Sequence, residues 1–469
     1  MAAENSHREP VRRAELTSIT TRVRAVYESG RTRPLEWRRE QLDGLIRMLD
    51  RENETIVDAL AADLGKPRLE GWAADIAATA ADVRHLRRHL PRWARPRRAA
   101  LSPTSRPGRA VVVPEPLGVA LVIAPWNYPV QLLVQPMAAA IAAGNTVVGK
   151  PSELAPATSE ALARLIPRHV DPEAIAVVEG DAAVATALLD EAWDHIFFTG
   201  NTAVGRSVLA AAAADLTPVV LELGGKCPVF VDDTAALGVT SRRIAWGKWI
   251  NAGQTCIAPD YVLVGERLRD ELVDGIADAL RLFAAGSVRT TPDYARIVNE
   301  QHARRLERLL ADHGGRVVVG GEVDVTARYV SPTVIVDPDI DSPLMVEEIF
   351  GPILPVVTIE SADAAIGFVN SRPRPLALYV FCEDSDVADR LVASTSSGGV
   401  VVNHVLLQKT PELPFGGVGP SGSGRYHGRT GFDAHSNLKT VLRKPTKPDP
   451  SIIYPPYTRL KERIIRRFL

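Results

Sequence analysis

A chain of 469 residues, 46% hydrophobic and 24% charged, has the composition of a soluble globular protein and the length for two or three domains with ample core. Its formal net charge of -1 gives no overall drive toward nucleic acid or acidic membranes. Three cysteines (Cys227, Cys256 and Cys382) are too few and too scattered for a disulfide framework or a zinc site, so no metal is expected and a reducing, cytoplasmic setting fits best.

The N-terminus lacks the basic-then-apolar layout of a secretory signal, and no apolar run approaches a membrane span. From about residue 14 to 98 charged residues alternate with apolar ones three or four apart, a helical pattern. Seven arginines lie between Arg84 and Arg98 with no acid among them, which reads as a solvated or subunit-facing surface rather than a phosphate site. Between Pro103 and Pro116, breakers enclose Ala110-Val111-Val112-Val113, a short strand leaving the domain.

Apolar, β-branched runs follow at Val119–Ile123, Thr146–Val148, Ile175–Val178, Ile196–Phe198 and Val219–Leu221, with Ala- and Leu-rich helical stretches between them. That alternation predicts a Rossmann-like α/β domain whose ligands bind beyond the carboxyl ends of parallel strands. A second α/β segment has strands near Val229–Val231, Val262–Val264, Val334–Val336, Pro355–Ile359, Leu378–Phe381 and Val400–Val402, and the chain is extended again around Lys439–Leu442. The expected division is 1–97 with 117–222 for nucleotide binding, 223–424 for catalysis, 98–116 with 433–444 as a small β arm, and 445–469 as a tail. In that tail, Arg459 to Leu469 spaces apolar residues helically between basic ones. A short helix docked on its own protein is favoured over one lying on a membrane surface.

Cys256, after the small polar run Asn251-Ala252-Gly253-Gln254-Thr255, stands at an element terminus where a thiol can meet a ligand. Cys227 and Cys382 lie in or beside apolar strands and read as core. Glu222 ends a buried strand, where a carboxylate is either solvated or raised in pKa as a general base for water. Asn127, between Trp126 and Tyr128-Pro129, is either a turn residue or a rigid amide donor for an oxyanion. Lys150 and Glu153 are a surface pair or a grip on a nucleotide ribose. Gly200-Asn201-Thr202-Ala203-Val204-Gly205 opens a helix after a strand, so its backbone can approach a pyrophosphate, although Thr202 stands where the usual dinucleotide fingerprint has glycine.

Five segments in order, Phe197-Phe198-Thr199-Gly200-Asn201-Thr202, Leu221-Glu222-Leu223-Gly224-Gly225-Lys226, Gly253-Gln254-Thr255-Cys256, Glu347-Glu348-Ile349-Phe350-Gly351-Pro352 and Leu413-Pro414-Phe415-Gly416-Gly417, resemble the motifs of the aldehyde dehydrogenase superfamily. Ala258-Pro259-Asp260-Tyr261 and Tyr454-Pro455-Pro456-Tyr457 resemble its class 3 branch, which includes medium-chain, aromatic and fatty aldehyde dehydrogenases. The resemblance implies NAD as cofactor, with NADP possible, and oxidation of an aldehyde to a carboxylic acid. Cys256 would be the nucleophile, Asn127 with the Cys256 N–H the oxyanion hole, and Glu222 the base that hydrolyses the thioester. Trp126, Lys150, Glu153, Gly200, Asn201, Gly205, Glu348 and Phe350 would contact the cofactor. It also implies a homodimer joined through the strands near Val111–Val113 and Asn437–Leu442.

Departures fall at Asn201, where serine is common in the family, and at His404 and Gln408, where many class 3 members have Asp and His. Relatives with a C-terminal membrane anchor extend beyond Leu469, so a soluble protein is expected. Trp93, Tyr128, Trp246 and Phe415 suggest an apolar funnel, favouring medium- to long-chain aliphatic or aromatic aldehydes. Acyl transfer to coenzyme A is the competing enzyme reading, and Glu222 argues against it. A non-enzymatic protein on the same fold would be expected to have lost Cys256 or Glu222.

Overall fold

The computed structural model describes residues 2–468, with side chains from 13 to 467, so Met1 and Leu469 lie outside the described residues. In its first sheet the strand order is Gly422–Ser423, Val219–Leu223, His195–Gly200, Val119–Ile123, Thr146–Lys150, Ile175–Val177. All neighbours are parallel except Gly422–Ser423, which runs antiparallel to Val219–Leu223. Val119–Ile123 and Thr146–Lys150 are buried at every position, as an unbroken apolar strand must be when helices cover both faces. From Val119–Ile123 the chain builds outward through Thr146–Lys150 and Ile175–Val177, then returns to lay His195–Gly200 on the other side. The crevice between Val119–Ile123 and His195–Gly200 is therefore the switch point where such sheets take ligands.

The second sheet runs Arg316–Val319, Thr333–Val336, Ile353–Ile359, Tyr261–Gly265, Pro228–Val231, Ala377–Phe381, Gly399–Val402. Six of these strands are the expected ones. Arg316–Val319 is an addition: it is an antiparallel edge strand, three of its four residues are exposed, and no buried face marks it in the sequence. A third sheet of Arg97–Ala99, Arg109–Pro116 and Ser436–Arg443 forms the arm. Ser436–Arg443 pairs antiparallel with Arg109–Pro116 over its full length, from Ser436 with Pro116 to Arg443 with Arg109. The helical pattern expected to residue 98 stops at Trp93, and Arg97–Ala99 is already strand.

Helices Ala2–Glu28, Leu35–Arg51, Asn53–Leu64 and Ala78–Trp93 form the N-terminal layer. The arginines of its last helix and of the strand after it meet acids on neighbouring elements: Arg84 with Asp50 at 2.7 Å, Arg97 with Asp433 at 3.2 Å, and Arg87 with Asp43. Trp93 lies among His85, His89 and Phe432, so it belongs to this layer and not to a funnel. Cys227 and Cys382 are buried in core clusters.

One buried ion pair braces the site from behind. The Lys66 ammonium donates to Asp75 at 2.8 Å with both side chains fully buried, and to the Asn127 carbonyl at 2.9 Å. Asp75 also accepts the Val130 and Gln131 N–H groups at 3.3 and 3.4 Å, at the start of helix Pro129–Ala143. Lys66→Met leaves that carboxylate uncompensated in the interior, a change expected to cost about 3–5 kcal/mol. Denaturant titration reads it, and a midpoint equal to wild type would contradict the role.

The tail departs from its expectation. Arg459–Phe468 is helical but leaves much of its apolar stripe open: Leu460 is 62% exposed, Ile464 is exposed too, and the helix packs on the turn Ser451–Ile453 before it, with Lys461 Nζ donating to the Tyr454 carbonyl at 2.8 Å. Among the described residues no helix is long and apolar enough to cross a membrane.

Candidate functional site

The turn ahead of Cys256 is held in an uncommon shape. After helix Leu237–Trp249, Asn251, Ala252 and Gly253 have φ of 53°, 50° and 71° in succession. Left-handed backbone costs a non-glycine residue roughly 1–2 kcal/mol, so the surroundings must impose it. They do so with buried hydrogen bonds. Glu70 Oε1 accepts the Asn251 N–H at 2.8 Å, and Asn251 Nδ2 donates to the Asn127 carbonyl at 2.9 Å. Gln254 Nε2 donates to the Asn251 and Arg296 carbonyls at 2.9 and 3.0 Å, while its Oε1 accepts the Val298 N–H at 3.0 Å. Gly253 is obligatory, since a Cβ there would lie 2.3 Å from the Gly351 carbonyl oxygen. The Cys227 thiol donates to the Cys256 carbonyl at 3.4 Å.

Cys256, Glu222 and Asn127 converge on a cleft of about 450 Å³. Glu222 is 1% exposed and neither of its oxygens has a hydrogen-bond partner of ordinary geometry. Burial pushes its carboxyl up to about 8; the Cys256 thiol partly offsets this and Glu348 adds to it. The Cys256 thiol is raised well above its ordinary range, first by burial and then by the Glu222 and Glu348 carboxylates. Asn127 is buried and donates one Nδ2 hydrogen to the Gln254 carbonyl at 3.1 Å, leaving a second donor hydrogen on the same nitrogen.

The same cleft reaches the switch point and takes in Trp126, Lys150, Glu153, Gly200, Asn201, Glu348 and Phe350. Lys150 is almost fully buried and donates to the half-exposed Glu153 at 2.9 Å. Asn201 caps helix Thr202–Ala214, its Oδ1 accepting the Val204 N–H at 2.9 Å, so its side chain serves the helix first. Gly205 sits inside that helix against the strand, where a Cβ would meet Leu223 at 2.7 Å, and does not line the cleft. Glu348 crosses above Gly224, where a Cβ would stand 2.1 Å from its oxygen, and its Oε1 has no partner. Burial first, then Asp260, raises Glu348 to about 7. Trp126 and Phe350 meet edge to face at 5.4 Å. Two lining residues escaped sequence reasoning. Arg305 donates to the Glu348 carbonyl at 3.0 Å, and His302 meets Trp126 edge to face at 5.2 Å with its pKa lowered to about 4 by burial. A helix N-terminus, a buried lysine and an unpartnered carboxylate around an elongated cleft fit a dinucleotide.

On its other side Cys256 opens into a chamber of about 30 Å³, room for about two waters, walled by Tyr128, Leu132, Ile257, Phe415, Tyr426 and Lys409 among others. Tyr128 and Phe415 are where an apolar funnel was expected. Trp246 is not; it is partly exposed beside His404. Neither departure at 404 or 408 lines the chamber. His404 turns back to its own loop at Val405, and Gln408 points at the Tyr379 hydroxyl at 3.4 Å. Lys409 went unremarked because a loop lysine carries no pattern.

The aldehyde dehydrogenase family model matches residues 9–441. Mouse aldehyde dehydrogenase family 3 member A2 is 44% identical over 96% of this chain and 93% of its own. The dog enzyme named "aldehyde dehydrogenase, dimeric NADP-preferring" is 41% identical over 94% of this chain and 98% of its own. A substrate-bound structure of Staphylococcus aureus AldH superposes with a TM-score of 0.93 at 40% identity, covering 96% of this chain and 99% of that one. With the fold and nearly the whole length matched, this chain belongs to the aldehyde dehydrogenase family and is an NAD(P)-dependent aldehyde dehydrogenase.

Proposed function

We propose that this enzyme oxidises an aldehyde to the free acid through a thioester on Cys256, hydrolysed by water that Glu222 activates. The observation that carries the reading is the convergence of Cys256, Glu222 and Asn127 where the long cleft meets the small chamber. An aldehyde in the chamber presents its carbonyl carbon to the thiol sulfur. The thiol proton passes to the Glu222 carboxylate beside it as the S–C bond forms, and the carbonyl oxygen gains negative charge. The free Asn127 Nδ2 hydrogen and the Cys256 N–H are the donors for that oxygen, and buried donors stabilise it strongly. The dinucleotide, when bound, would supply the acceptor for the hydride of the former aldehyde carbon. Lys150, Glu153 and Glu348 would hold its ribose hydroxyls, Gly200 and Asn201 would bring the helix N-terminus to its phosphates, and Trp126 and Phe350 would wall its ring. Glu222, once ionised, then takes a proton from water as it attacks the thioester, and the acid leaves with the Cys256 thiol restored.

The apolar walls favour aliphatic or aromatic aldehydes. Half-exposed Glu153 has room to swing aside, so both NAD and NADP are expected to serve, in keeping with a relative named NADP-preferring. Release of the acyl group to coenzyme A would not need a buried base raised to about 8. A homodimer is supported by two sheet edges that no strand covers among the described residues, Gly399–Val402 and Ser436–Arg443. Three free cysteines support the cytoplasm as its compartment. The test is reduced-cofactor formation with acetaldehyde, hexanal, decanal and benzaldehyde, each with NAD and with NADP. Stoichiometric acid is the expected product. A need for coenzyme A would contradict the reading.

A further inference from the structure

The chamber beyond Cys256 holds a charge that the reaction chemistry does not use. Lys409 lies on the loop after strand Gly399–Val402 and forms part of the chamber wall with Cys256, Tyr128 and His427. Its ammonium stands 5.2 Å from the centre of the Tyr128 ring. Among the described residues no carboxylate is within ion-pair distance of it and no acceptor within hydrogen-bond distance.

The acids closest in influence are already engaged. Asp75 is bound by Lys66 and by two backbone N–H groups. Glu70 accepts the Asn251 N–H, and burial raises it to about 7. On the facing wall, His427 Nδ1 is 3.6 Å from Asp82. Burial lowers the Lys409 pKa, with Asp75 and Cys256 opposing and Lys66 adding to the fall. Lys409 is half-buried, so its ammonium faces the chamber and can keep water there. A substrate that displaces that water must itself supply a partner for the charge, or the unpaired ammonium is costly.

Resting on the reading of Cys256 as nucleophile, we propose that Lys409 is the specificity-determining residue of this site and that it selects short aldehydes carrying a carboxylate at the end remote from the carbonyl. Such a substrate supplies the missing partner. Its aldehyde carbon meets the thiol, and its carboxylate accepts charge-assisted hydrogen bonds from the ammonium, which are shorter and stronger than neutral ones. Cys256 and Lys409 line the same small chamber, so an aldehyde whose carbonyl meets the thiol and whose far end meets the ammonium is a short one. The apolar walls then hold the methylenes, and the charge sits where they end.

The experiment compares succinic semialdehyde with 4-methylpentanal, which has the same shape without the charge, in wild type, Lys409→Met and Lys409→Arg. In wild type kcat/KM for the acid is expected to exceed that for the neutral aldehyde by at least about tenfold. In Lys409→Met that ratio falls at least about 30-fold, chiefly through KM for the acid, and Lys409→Arg retains most of it. A wild-type preference for the neutral aldehyde overturns the proposal without any variant. So does an unchanged ratio in Lys409→Met, which would assign the lysine to the thiol instead. Failure of the underlying reading is distinct: no aldehyde of either kind would then be oxidised by wild type.

Discussion

Replacing Cys256 with alanine is expected to lower turnover by about 10⁴-fold or more, the loss seen when a nucleophile is removed from a machinery that acts as a unit. Affinity for NAD should change by less than about threefold, because what holds the dinucleotide in the proposed site sits on other elements. Lys150 ends a strand of the first sheet, Asn201 opens the helix beside it, and Glu348 comes from the loop before strand Ile353–Ile359. Absorbance of reduced cofactor measures the first quantity, and quenching of Trp126 fluorescence the second. Loss of cofactor binding together with turnover would mean that the Cys256 loop builds the cleft instead of serving it.

Replacing Glu222 with glutamine should separate the two halves of the reaction. The amide keeps the shape of the side chain but cannot take a proton from water, so a thioester formed on Cys256 would accumulate. The expected record is one equivalent of reduced cofactor per subunit in a burst, followed by steady turnover slower by about 10²–10⁴-fold. The pH dependence follows from the raised carboxyl. Below about 8 the ionised fraction of Glu222 grows with pH, so hydrolysis by wild type should accelerate from pH 6 and flatten above about 8. The glutamine variant should lack that limb. Steady turnover like wild type, without a burst, would remove Glu222 from the role of base.

Both parallel sheets are legible in the sequence because an unbroken β-branched run such as Val119–Ile123 has no use except as a buried strand. Cys256, Glu222 and Asn127 stand out for a related reason: each is a polar group set where an apolar element ends. What escapes is whatever depends on elements meeting. Trp93 and Trp246 have the chemistry of a funnel wall, yet one belongs to the N-terminal helices and the other faces outward. Lys409 looks like any loop lysine until Tyr128 and Cys256 are brought against it by other segments. The left-handed turn at Asn251 and Ala252 is equally silent, because its cause lies in Glu70, Asn127 and Arg296. The amphipathic tail misled in the other direction, since a helical stripe says nothing about what it rests on.

The arm has a consequence for how the chain is made. Arg109–Pro116 leaves the ribosome long before Ser436–Arg443, the strand that will cover it. At about 5–20 residues per second, the wait is on the order of 20–60 s. For that time Val111-Val112-Val113 offers a bare edge to any nascent neighbour. Arg109 at its start and Pro114 and Pro116 at its end interrupt that edge with a charge and two missing N–H groups. The arm can therefore close only after every strand of the two larger sheets has been synthesised, and any subunit pairing through it would have to come later still.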